Sequence, residues 1–151
     1  VKDYRVPTCP KGMLGRGQRR PLFRGALSKV ILAYLSPHRL RTIYKRRHDE
    51  IVEAGLGSEG VDFRNNMSKI RSEAFVLSSG EFSKGVSGCG AAVFNGEGEG
   101  IGSVGVAFHA ELWAELDRQT IIDAVTHAGR EISNHMADMA KEQVLRPRAV
   151  G

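Results

Sequence analysis

Cysteine is scarce in these 151 residues: Cys9 and Cys89 are the only two, and their surroundings have nothing in common. They make no disulfide framework, so a bridge-stapled secreted domain is excluded and a reducing compartment is expected. Long apolar runs are missing as well. The longest, Val30 to Leu35, is far below the ~20 residues of a membrane span. The first residues are polar and basic with no apolar stretch behind them, unlike a secretory leader. A cytoplasmic setting without a membrane partner is the expectation. Acidic residues are absent from Arg16 to His48, a stretch that holds ten Lys or Arg. Such a run could follow a phosphate backbone. Aromatic residues do not alternate with the charges as base stacking would need, and Asp49, Glu50, Glu53 and Glu59 follow directly. A solvated basic face is the plainer reading.

What is present suits one globular domain spanning residues 1–151. Apolar content is 41%, charged content 26% and net charge +5, ordinary values for a chain long enough to bury a core. Ala26, Leu27, Val30, Ile31 and Tyr34 recur at helical steps, which predicts a helix from Gly25 to Leu35. Ser36-Pro37 stops it and starts a second, serine as N-cap and proline in the first turn. Asp62 predicts the cap of a third helix through Arg71. Strands are expected over 74–77, 88–94 and 101–108, with Tyr4, Val6 and Thr8 in a further strand end. Asn95-Gly96 predicts a hairpin between the last two, both residues accepting positive φ. Asp117 caps a long final helix with Ile121, Val125, Ala128, Ile132, Met136 and Met139 on one stripe, and residues 146–151 are expected to fray.

Four constellations invite chemistry. Gly100 to Gly105 spells G-x-G-x-x-G, yet a dinucleotide site needs those glycines between a strand and a helix, not inside a strand. No cofactor is expected. Cys89 with His109 would make a thiol nucleophile and base, the alternative being a buried strand cysteine. His127, Glu131 and His135 stand at i, i+4, i+8 and could align toward a metal, but one solvated helix face is the simpler account, and no metal is expected. Glu97 and Glu99 sit on a glycine-rich hairpin tip with nothing to fix them for acid–base work. What remains is a shortage of bulk. Val86, Gly88, Gly90, Ala91, Gly105 and Ala107 give two neighbouring strands a slim surface. Either a helix packs hard against it or a ligand fills it.

The order of motifs resembles the C-terminal domain of the IclR family of bacterial transcription regulators. Pro21, Leu22, Ala26, Lys29, Leu32 and Ala33 echo P-L-H-x-T/S-A-x-G-K-x-x-L-A. Lys69-Ile70-Arg71 with Ala74-Phe75-Val76 echoes I-R-x-x-G-Y-x-V, and Glu81, Gly85 to Gly88 and Ala91 to Phe94 echo G-V-S-x-I-A-A-P-V-F. The resemblance implies an α/β (α+β) fold, profilin-like or GAF-like, with a curved antiparallel sheet flanked by helices. It implies a non-enzymatic sensor of small organic acids, with Ala26, Leu27, Ser78, Val86, Gly88, Gly90, Ala91, Gly105 and Ala107 about the effector. It also implies a homodimer or homotetramer that meets operator DNA through an N-terminal domain. That winged helix and the first strands of the sensor would precede Val1, so the expected chain is a fragment with an incomplete sheet edge. Phe23, Ser28 and Cys89 depart from the family pattern, as do Gly105 and Ala107 where serines often hold an oxyanion. Fewer polar hooks suit a larger ligand than a 2-oxo acid, an aromatic acid among them. The competing reading is a thiol-dependent enzyme built on Cys89 and His109.

Overall fold

A computed structural model describes Gly17 and residues 19–145 of the chain. The expected strand end at Tyr4, Val6 and Thr8 and the tail at 146–151 lie outside the described residues. The elements run α1 (Ala26–Ala33), α2 (Pro37–Arg46), α3 (His48–Glu53), α4 (Gly60–Glu73), β1 (Phe75–Ser79), β2 (Val86–Phe94), β3 (Gly100–His109), a 3-10 turn at Ala110–Ala114, and α5 (Arg118–Leu145). This is the mixed α/β architecture expected, an antiparallel sheet in the order β1-β2-β3 with helices on both faces.

Local chemistry sets most boundaries. Ser36 accepts a hydrogen bond from the Arg39 N–H (3.3 Å) at the start of α2, with Pro37 in the first turn. Asp117 accepts from the N–H groups of Gln119 (3.1 Å) and Thr120 (3.2 Å) and from the Thr120 hydroxyl, which opens α5. Helix α4 starts two residues before Asp62, after Glu59. It ends on Ala74, whose φ of 62° is left-handed, a strained choice where glycine is usual. Residue 74 therefore closes the helix and does not begin the strand. The short α3 escaped the periodicity because six residues bury only Ile51.

The hairpin between β2 and β3 forms as expected, by different turn chemistry. Positive φ falls on Gly98, not on Asn95 or Gly96. The Asn95 side-chain oxygen instead accepts from the N–H groups of Glu97 (3.0 Å) and Glu99 (2.8 Å), folding a longer loop around itself.

Alternation along β2 divides the core. Gly90 and Ala92 face α1, where Ala26, Val30, Val76 and Ala92 cluster. Cys89 and Ala91 face α5 and meet Val125, Ile121 and Ile122. A third cluster, drawn from the helices and the turns beside them, joins Phe23, Leu32, Leu40, Ile51, Phe63 and Met67. The face that α5 turns to the sheet is rotated from the expected stripe. Val125 and Gly129 are buried there, and Ser133 accepts from the Phe94 N–H (2.9 Å) and donates to the Gly129 carbonyl (2.7 Å). Ile132 and Met139 are left exposed. Gly129 carries the close approach: a Cβ there would lie 3.0 Å from the Ala92 carbonyl oxygen and 3.3 Å from the Ala91 Cβ. Small residues thus make the contact face.

Candidate functional site

The site begins with a helix that cannot cap itself. Gly25 is the N-cap of α1, with φ 83° and no side chain to offer. Two residues more than fifty positions later supply the partners. The Gly25 N–H donates to Glu81 Oε2 (3.0 Å) and the Ala26 N–H donates to Ser78 Oγ (3.1 Å). Glu81 also receives Lys29 Nζ at 2.6 Å, in a pair largely shielded from solvent. The positive end of the helix dipole therefore already faces a carboxylate of the chain itself. This latch ties α1 to the end of β1 and the turn after it.

Beneath the latch the helix meets the two slim strands. The register pairs Gly90 with Gly105 and Gly88 with Ala107. At the first pair the chain fills its own vacancy. A Cβ on Gly105 would fall 2.7 Å from Leu27 Cδ2 and 2.2 Å from the Cys89 carbonyl oxygen, and one on Gly90 would fall 3.1 Å from the same leucine methyl. At the second pair no side chain among the described residues plugs the space. A cleft of about 60 Å³ opens between Ala26, Leu27, Ser78, Val86, Gly88 and Ala107, with Phe82 across it and Arg20 and Arg24 at its mouth. It has room for a few waters.

Of the nine effector residues expected, these six share the cleft. Gly90 and Gly105 lie under Leu27 as packing glycines. Ala91 is on the opposite face, against Val125 and Gly129, because neighbours on a strand point to opposite sides. Phe82, Val106, Arg20 and Arg24 line the cleft without having been foreseen. Phe82 is the one with a visible signal, a large apolar residue 42% exposed within an otherwise polar turn. Arg20 stacks its guanidinium over the Phe82 ring at 4.9 Å, and Arg24 pairs with Glu53.

The other constellations stay apart. Cys89 is fully buried on the α5 side, and burial pushes its thiol up to about 11. His109 is exposed at the far end of β3, paired with Val86, and so lies on the other face of the sheet. The G-x-G-x-x-G run lies within β3. Among the described residues no group of His, Cys, Asp and Glu is placed to hold a metal ion, and no helix is long and apolar enough to cross a membrane.

An antiparallel sheet with a helix N-terminus latched above a small cleft defines the class: a mixed α/β domain with helices on both faces of its sheet. The chain belongs to the family of IclR C-terminal domains of bacterial transcriptional regulators, whose profile matches residues 7–134. It is 31% identical to the C-terminal domain of a transcriptional regulator from Vibrio cholerae, with a TM-score of 0.62, over 80% of this chain and 71% of that one. The inducer-binding domain of PobR from Acinetobacter, a double mutant in complex with 3-hydroxybenzoic acid, is 21% identical with a TM-score of 0.64, over 91% of this chain and 75% of that one. The repressor BlcR of Agobacterium tumefaciens is 16% identical with a TM-score of 0.63, over 83% of this chain and 50% of that one. The last two likenesses speak for the fold. Comparison with curated proteins gave no match.

Proposed function

We propose that this domain senses a small organic acid, an aromatic one in particular, in the cleft between the first turn of α1 and the β2–β3 pair. One observation carries the reading: at Gly88 and Ala107 the strands forgo side-chain volume, and among the described residues no side chain plugs the space, Ser78 Oγ being the nearest at 3.8 Å from where a Gly88 Cβ would sit. The apolar walls of Phe82, Val86 and Ala107 suit a ring. The Ser78 hydroxyl, which accepts from Ala26, retains its own proton to donate to a carboxylate, with Arg20 and Arg24 near the opening. Glu81 already occupies the Gly25 N–H, so the acid group docks beside the helix end and not on it. The 3-hydroxybenzoic acid held by the inducer-binding domain of PobR supports this ligand class. At about 60 Å³ the cleft is too small for a ring, which enters only as Leu27 or Phe82 swings aside, and this gives the ligand two states to choose between.

The same reading extends to the whole protein. The domain works in the cytoplasm of a bacterium as part of a homodimer or homotetramer, and an attached winged helix carries the contact with operator DNA. Effector binding shifts the population of domain arrangements and so the spacing of the DNA-binding heads. The domain is a sensor and not a thiol enzyme, since Cys89 is buried, protonated and far from His109. A thermal-shift screen tests the proposal. Hydroxybenzoates are expected to raise the melting temperature, and Ala107→Leu, which fills the cleft, is expected to abolish the rise. At a hundredfold excess over Kd the ligand adds about 2.7 kcal/mol. Glyoxylate active where aromatic acids fail would reject the aromatic class; an undiminished response in Ala107→Leu would reject the site.

A further inference from the structure

A larger concavity, about 730 Å³, lies away from the sheet between α2, α4 and the end of α1. That volume falls in the range of small-molecule pockets, roughly 300–1,000 Å³, and it is much roomier than the cleft beside Gly88. Its bed is apolar. Leu40, Phe63 and Met67 are buried below, and half-buried Tyr34, Leu35 and Tyr44 face into it. Tyr44 is held in place by stacking on Phe63 (centroids 5.7 Å) and by donating from its hydroxyl to the Ser58 carbonyl (2.9 Å).

The rim carries charge of one sign. Arg41 and Lys45 stand one turn apart on α2, Arg64 faces them from α4, and among the described residues no carboxylate lines the groove. Arg41, Lys45 and Arg64 are exposed and make no ion pair among the described residues. Arg71, the fourth cation, is tied down by donating to the Ala33 carbonyl (2.8 Å). The acids of neighbouring α3 have partners elsewhere, Asp49 with His48, Glu50 with Arg47 and Glu53 with Arg24. An apolar trough edged by three uncommitted cations selects an occupant with the opposite pattern.

We infer that the groove between α2 and α4 is a second binding site, for an amphipathic organic acid whose apolar tail lies over Tyr34, Leu35 and Tyr44 while its acid group meets Arg41, Lys45 and Arg64. This site is separate from the cleft and does not depend on what the cleft binds. Isothermal titration of the 151-residue chain with dodecanoate, kept below its micelle concentration, tests it. Saturable one-to-one binding is expected, weakened about tenfold or more by Arg41→Glu with Arg64→Glu as charge-assisted contacts are lost. The milder pair Arg41→Gln with Arg64→Gln moves affinity the same way with the melting temperature unchanged. Ala107→Leu leaves dodecanoate binding intact. No saturable binding, equal binding of dodecyltrimethylammonium, or loss in Ala107→Leu would each overturn the assignment. Capture by phosphatidylglycerol vesicles without binding of monomeric dodecanoate would overturn it too, in favour of a lipid surface.

Discussion

Two neighbouring pairs on the same strands had the same promise and met different fates. At Gly90 and Gly105 the missing side chains admit Leu27, and the vacancy is consumed by the fold. At Gly88 and Ala107, two residues along, the equally small side chains leave the cleft. The helix axis explains the difference. Helix α1 crosses the pair where Ala26 and Leu27 touch the sheet, and its first N–H groups turn away toward Ser78 and Glu81. Lack of bulk on a strand thus serves two ends, close packing and vacancy, and only the position of the facing helix decides which.

Substitution at the filled pair sharpens the contrast most. Gly105→Ala puts a methyl group against the Cys89 carbonyl and Leu27 at once, and neither backbone nor a wedged leucine can yield cheaply. The expected loss is about 3 kcal/mol in urea unfolding, the upper part of the range for overpacked cores. Leu27→Ala works from the other side. It removes the plug, costs roughly 1–2 kcal/mol for a half-buried leucine, and merges the two vacancies into one pocket. Larger aromatic acids are then expected to bind better than in the parent chain, read as a greater thermal shift at equal concentration. Weaker binding of every ligand would show that Leu27 is a wall the ligand needs and not a barrier to it.

Much of the fold was legible because its signals are local. Ser36-Pro37 and Asp117 cap their helices through their own side chains, and the apolar steps through Ala26, Val30 and Ile31 mark α1 without ambiguity. The site was legible only to the resolution of a strand. That Gly88 and Ala107 share a face with Ala26 follows from alternation, and the same rule, had it been applied, would have removed Ala91. That Leu27 lands on Gly105 depends on where a helix crosses a sheet, which no spacing encodes. The latch of Glu81 on Gly25 spans fifty-six residues, so it was out of reach of any local pattern. In α5 the stripe through Ile132 and Met139 misled because contact with a sheet of small residues favours Gly129 and Ser133 over larger apolar side chains.

The open pair is tested more gently. Gly88→Ala meets the Val106 carbonyl oxygen at 2.9 Å, and its next neighbour, Ser78 Oγ, stands 3.8 Å away. The strand backbone must shift to admit it, at a cost of about 1–2 kcal/mol, less than at Gly105 because no side chain is wedged there as well. The expected result is a cooperative unfolding curve at somewhat lower urea and a lost response to hydroxybenzoates. A loss of stability equal to that of Gly105→Ala would erase the distinction between the two pairs.

The smallest effect reports on the back of the filled pair, where Cys89 sits between Gly88 and Gly90 with its thiol toward α5. Burial pushes that thiol from an ordinary 9.0 to about 11. Between those values the unfolded chain has released the proton while the folded chain still holds it, so rising pH favours unfolding. Stability is expected to be level below pH 9 as far as this group is concerned, and to decline from about pH 9 to about pH 11. Cys89→Ala removes that part of the decline. If the two chains lose stability in parallel across this window, the thiol is reaching solvent from the α5 side, and the sheet is packed more loosely there than under Leu27.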